Sequence, residues 1–130
     1  GLGEGELRRV ARLSTQKLYR PGEVVFEEGS EGRELYVVER GEVEIRTKTG
    51  DKLIGSIRNG AVLGEIAFLN GEPRTARAVS KTASILRVIN RSDFERLIQR
   101  ELHLGRIFYQ NVAIDLADKL KKTVIQSKAA

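Results

Sequence analysis

Two hydrophobic periods run along this chain, and the switch between them divides it. From Leu18 to Ile89 apolar residues fall in short runs of period two: Val43 and Ile45 alternate with Glu42, Glu44 and Arg46. Alternation of that kind buries one face of a strand. The runs predict strands at Lys17–Arg20, Val24–Glu27, Glu34–Glu39, Val43–Thr47, Lys52–Ile57, Val62–Leu63, Thr75–Ser80 and Ser84–Ile89. Turn formers separate them at Pro21-Gly22, Gly29-Ser30-Glu31-Gly32, Arg40-Gly41, Asn59-Gly60 and Asn70-Gly71. Short strands at this regular spacing predict a sandwich, a barrel or a jelly roll.

Helical periodicity brackets the strand region. Residues 1–5 read as a flexible leader, and Glu6–Leu13 as a short helix. After Ile89, Ser92 is placed to cap a helix with Glu95 completing a capping box, and that helix runs to about Gln99. A longer helix is predicted from about Leu104 to Gln126. On it Tyr109, Val112, Ala113, Leu116, Ala117, Leu120, Thr123 and Val124 form one apolar stripe, with Ile107, Ile114 and Ile125 roughly opposite. Two apolar sides predict two contacts, one with the β region and one with a partner subunit.

Composition narrows the functional classes. The 130 residues, 40% hydrophobic and 32% charged, fit one globular domain spanning 1–130. The absence of cysteine excludes a disulfide scaffold, thiolate zinc sites and a cysteine nucleophile, and is compatible with the cytoplasm, where we expect the protein to work. A single histidine, His103, excludes metal sites built from several imidazoles, so neither a metal nor a cofactor is expected, and His103 reads as a solvated residue between two helices. No apolar run approaches the roughly 18 residues that cross a bilayer. The lack of methionine predicts a processed chain or an excised domain, with the rest of the parent elsewhere.

The net charge of +5 has one source: residues 1–60 hold 11 Lys+Arg against 11 Asp+Glu, and residues 61–130 hold 12 against 7. A basic half favours an anionic ligand or nucleic acid, and the plainer reading of the charge alone is a solvated mixed-charge surface. Direct nucleic-acid binding is not expected, because three Tyr, four Phe and no Trp offer few stacking surfaces and too little sequence follows the long helix for a helix-turn-helix.

The richest segment runs from Asn59 to Ala78 and reads as a strand, a glycine turn, a one-turn helix and a loop into another strand. Gly64 lets the backbone approach a ligand closely. The amides of Ile66 and Ala67 fall at the start of the short helix, where N–H groups lack intrahelical partners and favour an anion. Arg74 follows nine residues after Glu65 and can fold back to fork a phosphate. Glu65 only accepts hydrogen bonds, which suits a sugar hydroxyl. Together these describe a nucleotide monophosphate site with no catalytic residue; the plainer reading of Glu65 and Arg74 is a surface ion pair.

Gly64-Glu65-Ile66-Ala67-Phe68-Leu69 followed by Pro73-Arg74-Thr75-Ala76 resembles the phosphate-binding cassette of the cyclic nucleotide-binding domain family. Tyr19-Arg20-Pro21-Gly22-Glu23-Val24-Val25-Phe26-Glu27-Glu28-Gly29 and Leu35-Tyr36-Val37-Val38-Glu39-Arg40-Gly41-Glu42-Val43 resemble its first two hairpins. The resemblance implies an eight-stranded jelly roll over about 17–90 and C-terminal helices over about 92–126, the last capping the ligand's base and forming a homodimer. It implies cAMP or cGMP as ligand, with Glu65 on the ribose 2′-hydroxyl, Arg74 on the cyclic phosphate, and the amides of Ile66, Ala67 and Ala76 completing the phosphate shell. Thr75 stands where a threonine in kinase and channel relatives is associated with cGMP, while bacterial relatives with a hydroxyl there can prefer cAMP. Lys119 and Thr123 would lie nearest the base. Leu63 departs from the family, in which an aromatic is common. The alternatives are a nucleotide-free dimerisation relative and the sensor half of a DNA-binding regulator.

Overall fold

The computed structural model describes residues 3–47, 49–110 and 113–114. Every predicted strand forms: β1 (Thr15–Tyr19), β2 (Val24–Phe26), β3 (Glu34–Arg40), β4 (Glu42–Arg46), β5 (Leu53–Arg58), β6 (Val62–Leu63), β7 (Arg77–Ser80) and β8 (Ser84–Asn90). They build two four-stranded antiparallel sheets, ordered β1-β8-β3-β6 and β2-β7-β4-β5. This is the mainly β, eight-stranded jelly roll expected from the sequence. The β7 strand begins two residues later than its pattern predicts, which leaves Thr75 and Ala76 in the loop that enters it.

The alternation along β3 explains the two cores. Leu35 and Val37 face the helices, where they join Val10, Val62, Phe68, Ile89, Phe94, Leu97, Leu104 and Phe108. Tyr36 and Val38 face the opposite sheet, with Val43, Leu63, Ala78, Leu86 and Val88. Both faces of β3 are therefore buried, and its sequence reads as an unbroken apolar run instead of a half-polar one.

Helix α1 covers Glu4–Arg12, so it takes in part of the expected leader. Helix α2 is the short turn Glu65–Asn70, with Gly64 and Gly71 in left-handed conformations at its two ends. Helix α3 covers Arg91–Arg100. Its N-cap is Asn90, whose side-chain oxygen accepts from the Asp93 amide at 2.9 Å, and Ser92 lies inside the helix. The chain passes from β8 straight into α3, so the cap falls on the last residue of the strand, two before the predicted one.

Residues 102–110 are helical again, as are 113 and 114. Leu104 and Phe108 supply the buried face of this segment, whereas Tyr109 is 50% and Ile114 59% exposed. Of the predicted stripe, Tyr109 and Ala113 are exposed, and its other members, like the predicted helix beyond Ile114, lie outside the described residues; His103 is exposed as expected.

Candidate cyclic-nucleotide site

Gly64, Glu65, Ile66, Ala67, Arg74, Thr75 and Ala76 all line one cleft of about 340 Å³. Apolar lining of the same cleft comes from Ile45 on β4 and from Ile54 and Ile57 on β5. Lys119 and Thr123 lie outside the described residues.

The cleft is organised around a buried cation. Arg74 is only 4% exposed, and its Nη1 and Nη2 donate to the carbonyl oxygens of Gly64 and Glu34, each at 2.6 Å. The Phe26 ring stacks on the guanidinium, with its centroid 4.3 Å away, and the Tyr36 ring stands 5.8 Å away. The Arg74 backbone is fixed as well: its N–H donates to the Ser30 carbonyl at 2.8 Å, and its own carbonyl accepts from the Gly29 amide at 2.7 Å. A guanidinium carries five N–H donors. The Arg74 Nε is buried and has no hydrogen-bond partner among the described residues.

Desolvation pulls the Arg74 pKa down, opposed by Tyr36, Glu34 and Glu65. Burial, followed by the Glu34 carboxylate, pushes Tyr36 up to about 12. The arrangement keeps one charged donor in an apolar recess, where an electrostatic contact with an anion is stronger than in water.

The short helix adds to that polarity. Its first hydrogen bond runs from the Phe68 amide to the Gly64 carbonyl at 3.3 Å, so the amides of Ile66 and Ala67 precede the bonded turn. Gly64 needs its residue type for two reasons: its φ is +80°, and a Cβ there would overlap Arg74 Nη1. Glu65 is 5% exposed, so neither member of the Glu65–Arg74 pair sits on the surface. Thr75 is exposed at the rim, and Ala76 is buried. Among the described residues no group of three or more His, Cys, Asp or Glu is placed to hold a metal. No helix among them is long and apolar enough to cross a membrane.

The sequence model of the cyclic nucleotide-binding domain family matches residues 16–101, well over half of the 130. The chain belongs to that family. The regulatory subunit of cAMP-dependent protein kinase from Pyricularia oryzae is 41% identical over 86 residues, covering 66% of this chain and 22% of that protein. The corresponding subunit of Yarrowia lipolytica is 33% identical over 97 residues, covering 75% and 26%. The crystal structure of the Thermus thermophilus catabolite activator protein superposes with a TM-score of 0.76 at 28% identity, over 97% of this chain and 59% of that one. This cyclic nucleotide-binding domain thus spans about a quarter of the length of the kinase subunits it matches.

Several residues that shape the cleft went unread in the sequence. Phe26 and Tyr36 pattern as ordinary strand residues, and nothing local marks them as the stacking partners of Arg74. Gly32 reads as one more turn glycine, yet a Cβ there would overlap Ala67, so the β2–β3 loop packs directly on α2. A buried glycine beside a cassette alanine carries no periodic signal.

Proposed function

We propose that this domain binds cAMP or cGMP in the cleft and passes the occupancy of the site to its C-terminal helix. The observation that carries the reading is the buried Arg74 guanidinium beside the cleft that Arg74 lines, held by two carbonyls and stacked on Phe26, with its buried Nε left without a hydrogen-bond partner among the described residues. A cyclic phosphate carries one negative charge and two exocyclic oxygens. It complements the remaining donor edge of Arg74 together with the amides of Ile66, Ala67 and Ala76. The Glu65 carboxylate accepts from the ribose 2′-hydroxyl, and the base extends along the apolar wall. Thr75, exposed among the residues lining the cleft, biases the choice between adenine and guanine in this proposal.

The output follows from a line of aromatic contacts. Phe68 on α2 meets Phe94 on α3 edge-on with centroids 5.0 Å apart, and Phe94 meets Phe108 at 4.9 Å. Arg91 adds a hydrogen bond to the Phe68 carbonyl and stacks over the Phe68 ring at 4.4 Å. Any adjustment of α2 around a phosphate is felt at Phe108, so a ligand that prefers one placement of the helices shifts their population. The exposed Tyr109 and Ile114 fit a homodimer contact on the same segment, and the effector belongs to an output domain or partner. Nothing in the reading requires chemistry on the ligand, and the domain acts as a sensor, not an enzyme.

Calorimetric titration of the chain with cAMP and cGMP tests the binding, and amide hydrogen exchange with and without ligand tests the coupling. Saturable binding of at least one nucleotide, with changed protection around Phe108, is expected. Binding of neither overturns the proposal.

A further inference from the structure

Most of the constrained glycines here have a structural reason. Gly64 and Gly41 have positive φ and would overlap Arg74 and Ser84 if they carried a Cβ, and Gly32 would overlap Ala67. Gly55 has no such reason. It lies within β5, has no positive φ, and a Cβ built on it meets nothing within 4 Å. A glycine inside a strand costs about 0.5–1 kcal/mol relative to alanine, and it often marks close approach by another group.

The sheet register says where the missing side chain would point. Val43 pairs with Ile57 and Ile45 with Gly55 across β4 and β5. Val43 is a fully buried member of the core between the sheets, and Ile45 and Ile57 pack against that core. Gly55 therefore belongs to the interior face of the sheet, and it lines the cleft together with Ile45 and Ile57. The β5 strand is the edge of its sheet and β6 the edge of the other, so the cleft opens where the roll is not closed by strand pairing. The space that a side chain at position 55 would fill is cleft space.

We infer that Gly55 is a specificity-determining residue, whose bare backbone enlarges the apolar end of the cleft enough to seat the two-ring base of a purine cyclic nucleotide. The inference rests on the proposed nucleotide reading of the cleft. With the phosphate on Arg74 and the ribose at Glu65, the base is the part of the ligand left for the wall formed by Ile45, Ile54 and Ile57. A side chain at position 55 takes volume from the second ring and leaves room for a single-ring pyrimidine.

The test compares wild type, Gly55→Ala and Gly55→Val by calorimetry with 3′,5′-cyclic AMP, GMP and CMP, together with thermal unfolding of each without ligand. Gly55→Val is expected to weaken binding of the purine nucleotides by about tenfold or more, the scale of overfilling a packed site, with Gly55→Ala intermediate. Cyclic CMP affinity should change by less than about threefold, a difference of ~0.6 kcal/mol. The unliganded variants should melt at or above the wild-type temperature. Wild-type binding with purine affinities unchanged in Gly55→Val overturns the inference alone, as does an equal loss for all three ligands. Wild-type protein that binds none of them overturns the nucleotide reading, and the inference with it.

Discussion

Gly64 and Arg74 hold each other in place. Arg74 Nη1 donates to the Gly64 carbonyl at 2.6 Å, while the absent side chain of Gly64 leaves the room in which Nη1 sits. The backbone at φ +80° and the guanidinium form one unit, although ten positions separate them. Gly64→Ala therefore imposes two penalties at once. The left-handed conformation alone costs about 1–2 kcal/mol, read by denaturant unfolding. Displacement of Arg74 should also lower cyclic nucleotide affinity by at least about tenfold, read by calorimetry.

Arg74→Lys keeps the charge and loses the fork. A lysine ammonium cannot reproduce donation to Gly64 and Glu34 while presenting a further edge to a ligand. Loss of these charge-assisted bonds should destabilise the unliganded protein by on the order of 2 kcal/mol. A surface ion pair would give about 0–1 kcal/mol. Chemical denaturation of the two proteins separates these outcomes, and affinity should fall in the lysine variant despite the retained charge.

Glu65→Gln tests the ribose contact when paired with a ligand that lacks the hydroxyl. Affinity for cAMP should fall by about tenfold, a loss of ~1.4 kcal/mol. Affinity for 2′-deoxy-cAMP, already weaker in wild type, should barely respond. An equal loss for both ligands would move Glu65 from the ribose to a purely structural role.

Tyr36 predicts a loss of stability at high pH. Its phenol titrates near 10.0 in the unfolded chain and is raised to about 12 in the fold. Between those values the unfolded state has released the proton that the native state keeps, so stability declines as pH rises through the window. The decline should amount to roughly 2–3 kcal/mol. Tyr36→Phe should flatten most of it, and Tyr19, whose pKa is also raised by burial, adds to the decline. Unfolding measured from about pH 9 to about pH 12 reads the effect.

The parts of this protein that are legible in the sequence are those that repeat locally. Val43 and Ile45 alternate with charged neighbours, and the paired edges of β4 and β5 follow from that. The Gly64–Ala76 cassette is nearly contiguous, so its residue types can be read together. What could not be read comes from contacts distant in sequence or from competition between neighbours. Glu34 holds Arg74 from 40 positions away, and Phe26 stacks on it from strand β2. Asn90 and Ser92 are both competent caps, and the direct passage of β8 into α3 decides for Asn90. Phe108 and Tyr109 differ by about 100° on the helix, and the packing of Leu104 with Phe108 selects the former.

The site itself is tested most directly by nuclear magnetic resonance on isotopically labelled chain during titration with cAMP or cGMP. The amide signals of Ile66, Ala67 and Ala76 and the Nε signal of Arg74 should shift together and saturate at one ligand per chain. Saturable binding that moves signals elsewhere and leaves these four unchanged would contradict the assignment of the phosphate to Arg74.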